Sequence, residues 1–284
     1  MGLKIELAES AGFCFGVKRA VDSVYRLAEG TDGRVCTLGP IIHNEQVVRD
    51  LEEKGVRVIG PEEDIEGSDG TTLVIRSHGV SRNTIQSLEE RGISYEDATC
   101  PFVKKIHDTV LQYSRKGYQI IIAGSASHPE VQGILGWTEG NGIVVETPEE
   151  AERFFLADPA QKICIVAQTT FNYNKFQELV EIIEKKGYDI YVVNTICNAT
   201  STRQKEAEEL AARSEAMIVI GGKHSSNSRK LYEICKNQCA NTFFIQTVDE
   251  LSSISLSSFT SLGITAGAST PNNIIQEVLR ACQI

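Results

Sequence analysis

The chain alternates short apolar runs with segments of helical periodicity. Runs such as "QIIIAG", "ICIVAQTT" and "MIVIG" contain consecutive apolar residues and end in a glycine or in a polar corner. Amphipathic segments lie between these runs. Continuous apolar strands of this kind are typical of parallel sheets that helices cover on both faces. The pattern therefore predicts an α/β fold with mainly parallel sheets.

One order of elements occurs three times along the chain. "AGFCFGVKRAVDSV" returns as "ATCPFVKKIHDTV", and a weaker third copy begins at "TICNATSTRQKEAEEL". In each copy a cysteine opens a helical segment, and a strand ending in glycine follows 24 or 25 residues later, at Gly39, Gly124 or Gly221. A second strand then ends in a polar corner, and between the two strands a short apolar run leads into an acidic helix start. The second corners are at Ser77, Thr169 and Gly267, and the helix starts are in "VRVIGPEED", "GIVVETPEE" and "TFFIQTVDE".

The repeat predicts three similar small α/β domains. Their expected bounds are 14–99, 100–196 and 197–284, with residues 1–13 adding the N-terminal strand "LKIELA" to the last sheet. Ligands bind at the carboxyl ends of strands in such sheets. We therefore expect a pseudo-threefold arrangement of the domains around one central cavity.

Composition and charge narrow the class of partner. With 284 residues, of which 41% are hydrophobic, the chain is long enough for a sizeable core. A formal net charge of -10 without a basic stripe argues against nucleic-acid binding. No run of eighteen apolar residues and no signal-like start is present, so we expect a cytoplasmic protein without a membrane partner.

Three of the eight cysteines occupy equivalent positions in the repeat, namely Cys14, Cys100 and Cys197. A sulfur at the start of a helix lies near unpaired backbone N–H groups, which favours the thiolate. A lone cysteine is more often a buried apolar residue, but three at matching places favour a shared metal. Three thiolates suit a 4Fe–4S cluster with one open iron in the central cavity. The remaining cysteines are expected to be ordinary thiols: Cys36, Cys164, Cys235, Cys239 and Cys282.

Neutral or switchable hydrogen-bond donors follow several predicted strands. Such groups and helix-start amides can bind a small phosphorylated ligand without a cluster of lysines, although helix capping explains any single serine or asparagine equally well. Glu130 lies two residues after His128 and is a candidate acid that Thr169 could orient, although a glutamate also suits a helix start by itself. His107 and His224 lie outside this pattern and are predicted to be surface or supporting residues. The candidate donors are His43, His78, His128, Ser225, Ser226, Asn227 and Ser269.

Together these motifs resemble the LytB family of 4-hydroxy-3-methylbut-2-enyl diphosphate reductases. The matching segments include "FCFGVKRAV", "GPIIHN", "RSHGV", "TCPFVKK", "GSASHPE", "AQTT", "ICNATSTRQ", "HSSNS" and "TAGASTP", and they extend from residue 12 to about 271. The resemblance implies a reductive dehydroxylation that yields isopentenyl and dimethylallyl diphosphate, the last step of the non-mevalonate route. It also implies a ferredoxin or flavodoxin as electron donor and an oxygen-sensitive 4Fe–4S cluster.

The resemblance assigns a role to each candidate residue. Cys14, Cys100 and Cys197 match the cluster ligands, Glu130 matches the proton donor, and Thr169 matches the residue that positions the substrate hydroxyl and Glu130. The remaining candidates match the diphosphate-binding positions, and they are His43, His78, His128, Ser225, Ser226, Asn227 and Ser269. Hydro-lyases and quinolinate synthase also use a three-cysteine cluster and remain alternatives, as does an iron–sulfur redox sensor that binds a partner protein.

Overall fold

The protein is described by a computed structural model that covers residues 3–30, 34–60 and 71–283. In these residues twelve strands form three four-stranded sheets with helices between the strands, which confirms the predicted α/β class. In chain order the strands are β1 (Lys4–Leu7), β2 (Val35–Leu38), β3 (Arg57–Ile59), β4 (Thr72–Ile75), β5 (Tyr95–Asp97), β6 (Gln119–Ala123), β7 (Gly142–Val145), β8 (Ile163–Ala167), β9 (Ile190–Val192), β10 (Ala216–Ile220), β11 (Thr242–Ile245) and β12 (Ser261–Ala266). The α-helices are α1 (Phe15–Gly30), α2 (Glu45–Glu53), α3 (Arg82–Glu90), α4 (Pro101–Arg115), α5 (Pro129–Leu135), α6 (Pro148–Arg153), α7 (Tyr173–Glu184), α8 (Asn198–Ala212), α9 (Ser226–Gln238) and α10 (Asn272–Cys282).

The three sheets share one strand order. They run β3-β2-β4-β5, β7-β6-β8-β9 and β11-β10-β12-β1, and every neighbouring pair is parallel. The N-terminal strand β1 pairs with β12 in register from Lys4 opposite Ser261 to Leu7 opposite Ile264. It thus takes the edge position in the third sheet that β5 and β9 take in the other two.

Successive residues of a central strand face different helices. In β8, Ile165 belongs to an apolar cluster with Phe176 of α7, whereas its neighbour Val166 belongs to a cluster with Val110 of α4. All five residues of β8 and all five of β10 are buried. A strand with helices on both faces must be apolar at every position, which explains the continuous apolar runs in the sequence.

Each of the predicted glycines directly follows a strand. These glycines come after β2, β6 and β10, and each amide donates to the last carbonyl of the neighbouring strand. The pairs are Gly39 N to Ile59 O at 2.8 Å, Gly124 N to Val145 O at 3.2 Å and Gly221 N to Ile245 O at 2.9 Å. The acidic helix starts appear as α6 in the second copy and as a 3₁₀-helix (Val248–Ser253) in the third. The first of them, at residues 61–64, lies outside the described residues.

The described chain forms two compact units. The first unit consists of the described residues of Met1–Lys18, Ile42–Asp50 and Asn198–Ile284, and it contains the third sheet. The second unit consists of the described residues of Arg19–Ile41 and Leu51–Cys197, and it contains the first two sheets. Among the described helices, none is both long enough and apolar enough to cross a membrane.

Candidate functional site

Each of the three candidate ligand cysteines lies between an edge strand and a helix. β1, β5 and β9 precede Cys14, Cys100 and Cys197, and α1, α4 and α8 each begin at the residue directly after the cysteine. The carbonyls of Cys14 and Cys100 accept the hydrogen bond of the first helical turn, from Lys18 N at 2.9 Å and Lys104 N at 3.0 Å. The prediction that each cysteine opens a helix is confirmed.

The backbone amides of these cysteines make equivalent hydrogen bonds. Each cysteine follows an edge strand, and that edge strand pairs with a neighbouring strand of the same sheet. The N–H of the cysteine donates to the backbone carbonyl two residues after the end of this neighbouring strand. The pairs are Cys14 N to Ala268 O at 3.3 Å, Cys100 N to Ser77 O at 3.0 Å and Cys197 N to Thr169 O at 3.1 Å. Ala268 is therefore the structural equivalent of Ser77 and Thr169, and the sequence alignment on Gly267 is wrong by one residue.

Exposure separates the three candidate ligands from the other cysteines. Cys14, Cys100 and Cys197 are half-buried, the other five are buried, and none of the eight forms a disulfide. Burial raises the pKa of the Cys164 thiol, inside β8, to about 12, and it does the same for the Cys235 thiol. A thiol with such a pKa stays protonated at neutral pH and is a poor metal ligand. Burial itself is the property that all five share and that is expected of core residues.

Glu130 and Thr169 form a buried polar pair in the second unit. Glu130 is 3% exposed, and its Oε1 accepts from the Thr169 backbone N–H at 2.6 Å while its Oε2 accepts from the Thr169 hydroxyl at 2.7 Å. Thr169 in turn accepts the Cys197 amide through its carbonyl at 3.1 Å. A hydroxyl both donates and accepts, so Thr169 can remain bonded to this carboxyl in either protonation state. One threonine thus links the candidate acid to the backbone of a candidate ligand.

His128 begins the helix that carries Glu130. Its ring Nδ1 accepts the Glu130 backbone N–H at 3.1 Å, which caps α5 and leaves the ring proton of the neutral imidazole on Nε2. His78 follows β4, and its ring meets the His128 ring edge to face with 5.4 Å between centroids. These two predicted donors are therefore neighbours, and His128 can offer an N–H to an anion.

A second group of predicted residues gathers in the first unit. The Ser269 hydroxyl donates to the His43 carbonyl at 3.1 Å and contacts the Ser225 hydroxyl at 3.3 Å. Ser225 caps α9, and its hydroxyl accepts the Ser228 backbone N–H at 3.3 Å. Ser226, the first residue of α9, lies directly after this cap. Hydroxyls and helix-start amides at one corner form an environment that suits phosphate oxygens.

Asn227 is a buried residue of this corner. It is 4% exposed, and neither its Nδ2 nor its Oδ1 has a hydrogen-bond partner among the described residues. The chain approaches closely here, because a Cβ on Gly222 would lie 2.7 Å from the His43 carbonyl oxygen. A buried amide that lacks partners is costly unless a ligand supplies them.

His107 is buried, so of the two predicted alternatives, a surface or a supporting residue, the structure favours the supporting one. The side chain is 4% exposed within α4, and its ring stacks on Trp137 with 5.1 Å between centroids. Its Cε1 would lie 2.7 Å from a Cβ on Gly79, whose φ of +73° also favours glycine. Burial lowers the pKa of His107 to about 4, so its ring is neutral at pH 7. His107 thus supports the loop that carries His78, and no sequence signal beyond the helical spacing could have shown this. The side chain of His224 is exposed, which agrees with the predicted surface position.

The fold and the site define an α/β protein with cysteines available for a metal. It has three parallel sheets, a half-buried cysteine after each edge strand and a buried carboxyl–hydroxyl pair. Residues 5–283 match a family model described as LytB protein. The chain belongs to the LytB family.

Similar proteins carry one enzyme name. The chain is 48% identical over 280 residues to the 4-hydroxy-3-methylbut-2-enyl diphosphate reductase of Caldanaerobacter subterraneus subsp. tengcongensis, covering 98% of this chain and 96% of that protein. It is 45% identical over 277 residues to the enzyme of the same name from Clostridioides difficile, covering 98% of each.

Two solved structures are also similar to this chain. The diphosphate reductase of Plasmodium falciparum matches with a TM-score of 0.92 at 27% identity, over 99% of this chain and 88% of that one. A reductase described as the terminal enzyme of the non-mevalonate pathway matches with a TM-score of 0.69 at 44% identity, over 99% of both chains.

Proposed function

We propose that this protein is an iron–sulfur oxidoreductase that converts (E)-4-hydroxy-3-methylbut-2-enyl diphosphate to isopentenyl and dimethylallyl diphosphate, the last step of the non-mevalonate pathway. Membership of the LytB family and the names of the relatives support this activity. The observation that carries it is the chain of contacts from Glu130 through Thr169 to the Cys197 amide. These contacts link the candidate proton donor to the backbone of a cysteine that can bind a metal.

Cys14, Cys100 and Cys197 would hold a 4Fe–4S cluster. Their equivalent positions, their equivalent amide bonds and their partial exposure all fit thiolate ligands of one group. Three ligands for four irons leave one iron open. A bound cluster would relay the electrons of an external donor one at a time and would offer an open iron as a Lewis acid for the substrate hydroxyl oxygen.

The diphosphate would bind to the polar corners. In the first unit Ser225, Asn227 and Ser269 offer donors, and the unsatisfied Asn227 amide would gain hydrogen bonds from a ligand. His128 would contribute its Nε2–H, with His78 beside it. Helix-start amides and neutral groups bind an anion without the cost of burying many cations. Ser226 and His43 complete the proposed set.

Glu130 would deliver one of the two protons in this proposal. Removal of the hydroxyl as water and formation of the new C–H bond consume two protons and two electrons. Glu130 is buried, so it can transfer a proton without exchange with bulk water, and the Thr169 hydroxyl would orient both the carboxyl and the substrate oxygen. A ferredoxin or flavodoxin would supply the electrons. We also propose a cytoplasmic location, where thiolate ligands stay reduced.

The ligand assignment is tested by replacing one cysteine at a time. We expect Cys14→Ser, Cys100→Ser and Cys197→Ser each to lose most of the bound iron and sulfide after anaerobic purification, because a serine oxygen is a poor ligand for this metal. Cys235→Ser is the matched control, since its thiol is buried in the core. Equal iron retention in all four variants would reject the assignment.

A further inference from the structure

Arg203 is a buried arginine in the helix that follows Cys197. The residue is 3% exposed, and its guanidinium reaches the chain segment that leads to Cys14. Its Nε and Nη2 donate to the Ser10 carbonyl at 2.9 and 2.6 Å, and Nη2 also donates to the Gly12 carbonyl at 2.9 Å. One side chain of α8 thus holds two carbonyls within four residues of a candidate ligand.

Glu206 holds the same segment one turn further along α8. Its Oε1 accepts the Glu9 backbone N–H at 2.6 Å, and its Oε2 accepts the Ser10 backbone N–H at 2.9 Å and also the Ser10 hydroxyl. Desolvation opposes the charged form, but these hydrogen bonds and the charge of Arg203 lower the pKa of Glu206 below its usual value. Both donors and acceptors of the segment before Cys14 are therefore bound by charged groups of one helix.

Arg19 repeats this arrangement in the second unit. It lies on α1, five residues after Cys14, and its Nη2 donates to the Thr99 carbonyl at 2.6 Å. Thr99 directly precedes Cys100, and its own N–H donates to Asp97 at 2.9 Å. The arginine therefore holds the peptide group that joins Thr99 to a candidate ligand.

We propose that Arg203 and Arg19 are positioning residues that fix the backbone directly before Cys14 and before Cys100. The helix that follows one candidate ligand thereby holds the chain segment that leads to another. This inference rests on the proposed function only in taking these cysteines to be ligands, because the contacts themselves are independent of any bound group.

The chemistry of the side chain supports this role. A planar guanidinium presents several N–H groups in a fixed fork, so it can hold two carbonyls at once, which a lysine ammonium does with less geometric control. Hydrogen bonds from a charged donor are also stronger than neutral ones. Loss of the arginine would leave carbonyls without partners and loosen the segment, so the sulfur beyond it would be less well placed.

The test measures amide hydrogen exchange in the full-length, anaerobically purified chain. In Arg203→Gln we expect the Cys14 amide to exchange about tenfold faster, and in Arg19→Gln the Cys100 amide, each without change in the other. The controls are Arg213→Gln and Arg26→Gln. Arg213 and Arg26 are exposed, and they pair with Glu6 at 2.5 Å and Glu96 at 3.4 Å.

Iron release to a ferrous chelator under anaerobic conditions is the second readout. We expect it to be about tenfold faster in the two positioning variants than in the two controls, whose rates should equal that of the unchanged protein. If Arg203→Gln fails to fold, Arg203→Lys replaces it, because lysine retains the charge but not the fork.

The outcomes separate this inference from the proposed function. Unchanged local exchange in both variants of an iron-containing protein would overturn the positioning roles and leave the function intact. Faster, segment-specific exchange in a chain that never binds iron would support the positioning of the backbone while rejecting the proposed function.

Discussion

Replacing Glu130 by glutamine removes the proposed proton while keeping the shape of the side chain. The amide oxygen can still accept the Thr169 N–H now found at 2.6 Å, and the amide NH₂ can donate to the Thr169 hydroxyl now at 2.7 Å. Both contacts survive, so the fold and the iron content should be unchanged. Only the transferable proton is lost.

The size of the effect follows from general acid catalysis. A positioned acid contributes roughly 10²- to 10⁴-fold in rate, which corresponds to about 2.7–5.4 kcal/mol of activation free energy. We therefore expect kcat of Glu130→Gln to fall by about this factor while KM changes little. The assay is anaerobic turnover of the hydroxylated diphosphate with a chemically reduced dye as electron donor, and iron and sulfide are measured on the same sample.

A matched pair at Thr169 makes the test sharper. Thr169→Ser keeps the hydroxyl that donates to Glu130, whereas Thr169→Val removes it and retains the backbone N–H bond. We expect the serine variant to remain within about tenfold of the original rate and the valine variant to lose more. A Glu130→Gln protein with full iron content and more than about a third of the original kcat would show that Glu130 is not the proton donor.

Two further residues give predictions of defined sign. The pKa of His107 is about 4 in the native protein and about 6.5 in the unfolded chain, so the unfolded chain binds a proton first as the pH falls. Acidification between these two values therefore destabilises the native state, by at most about 3 kcal/mol. His107→Gln should lack this contribution to the pH dependence of the free energy of unfolding. The measurement is urea unfolding of the metal-depleted protein at pH 7 and pH 4.5. An equal pH dependence in the variant and in the unchanged protein would contradict the prediction. Asn227→Ala should raise KM about three- to tenfold without loss of stability, because the amide has no partner among the described residues. Asn241→Ala, which loses an exposed bond to the Glu215 carbonyl, is its control, and an unfolding midpoint lowered only in Asn227→Ala would argue against ligand binding.

The sequence was most informative where one residue type determines the local structure. Continuous apolar runs predicted the central strands because a strand covered on both faces must be apolar throughout, as β8 shows. The helix starts at Cys14, Cys100 and Cys197 followed from the internal repeat. The edge strand β5 was less visible, since its three residues are only half-buried and form no apolar run.

Long-range contacts were outside the reach of sequence reasoning. Arg203 and Ser10 are 193 positions apart, and no periodicity links a helix arginine to a carbonyl at that separation. The burial of His107 depends in the same way on Trp137 and Gly79 from other segments. Burial of a polar group is decided by tertiary packing, which the local pattern of residues does not encode.

Mössbauer spectroscopy of anaerobically purified, iron-57-labelled protein tests the central proposal most directly. We expect one iron site that differs from the other three and whose signal changes when the hydroxylated diphosphate is added, but not when a dicarboxylate is added. Protein that is colourless and free of iron, or a cluster with four equivalent irons that the diphosphate does not perturb, would contradict it.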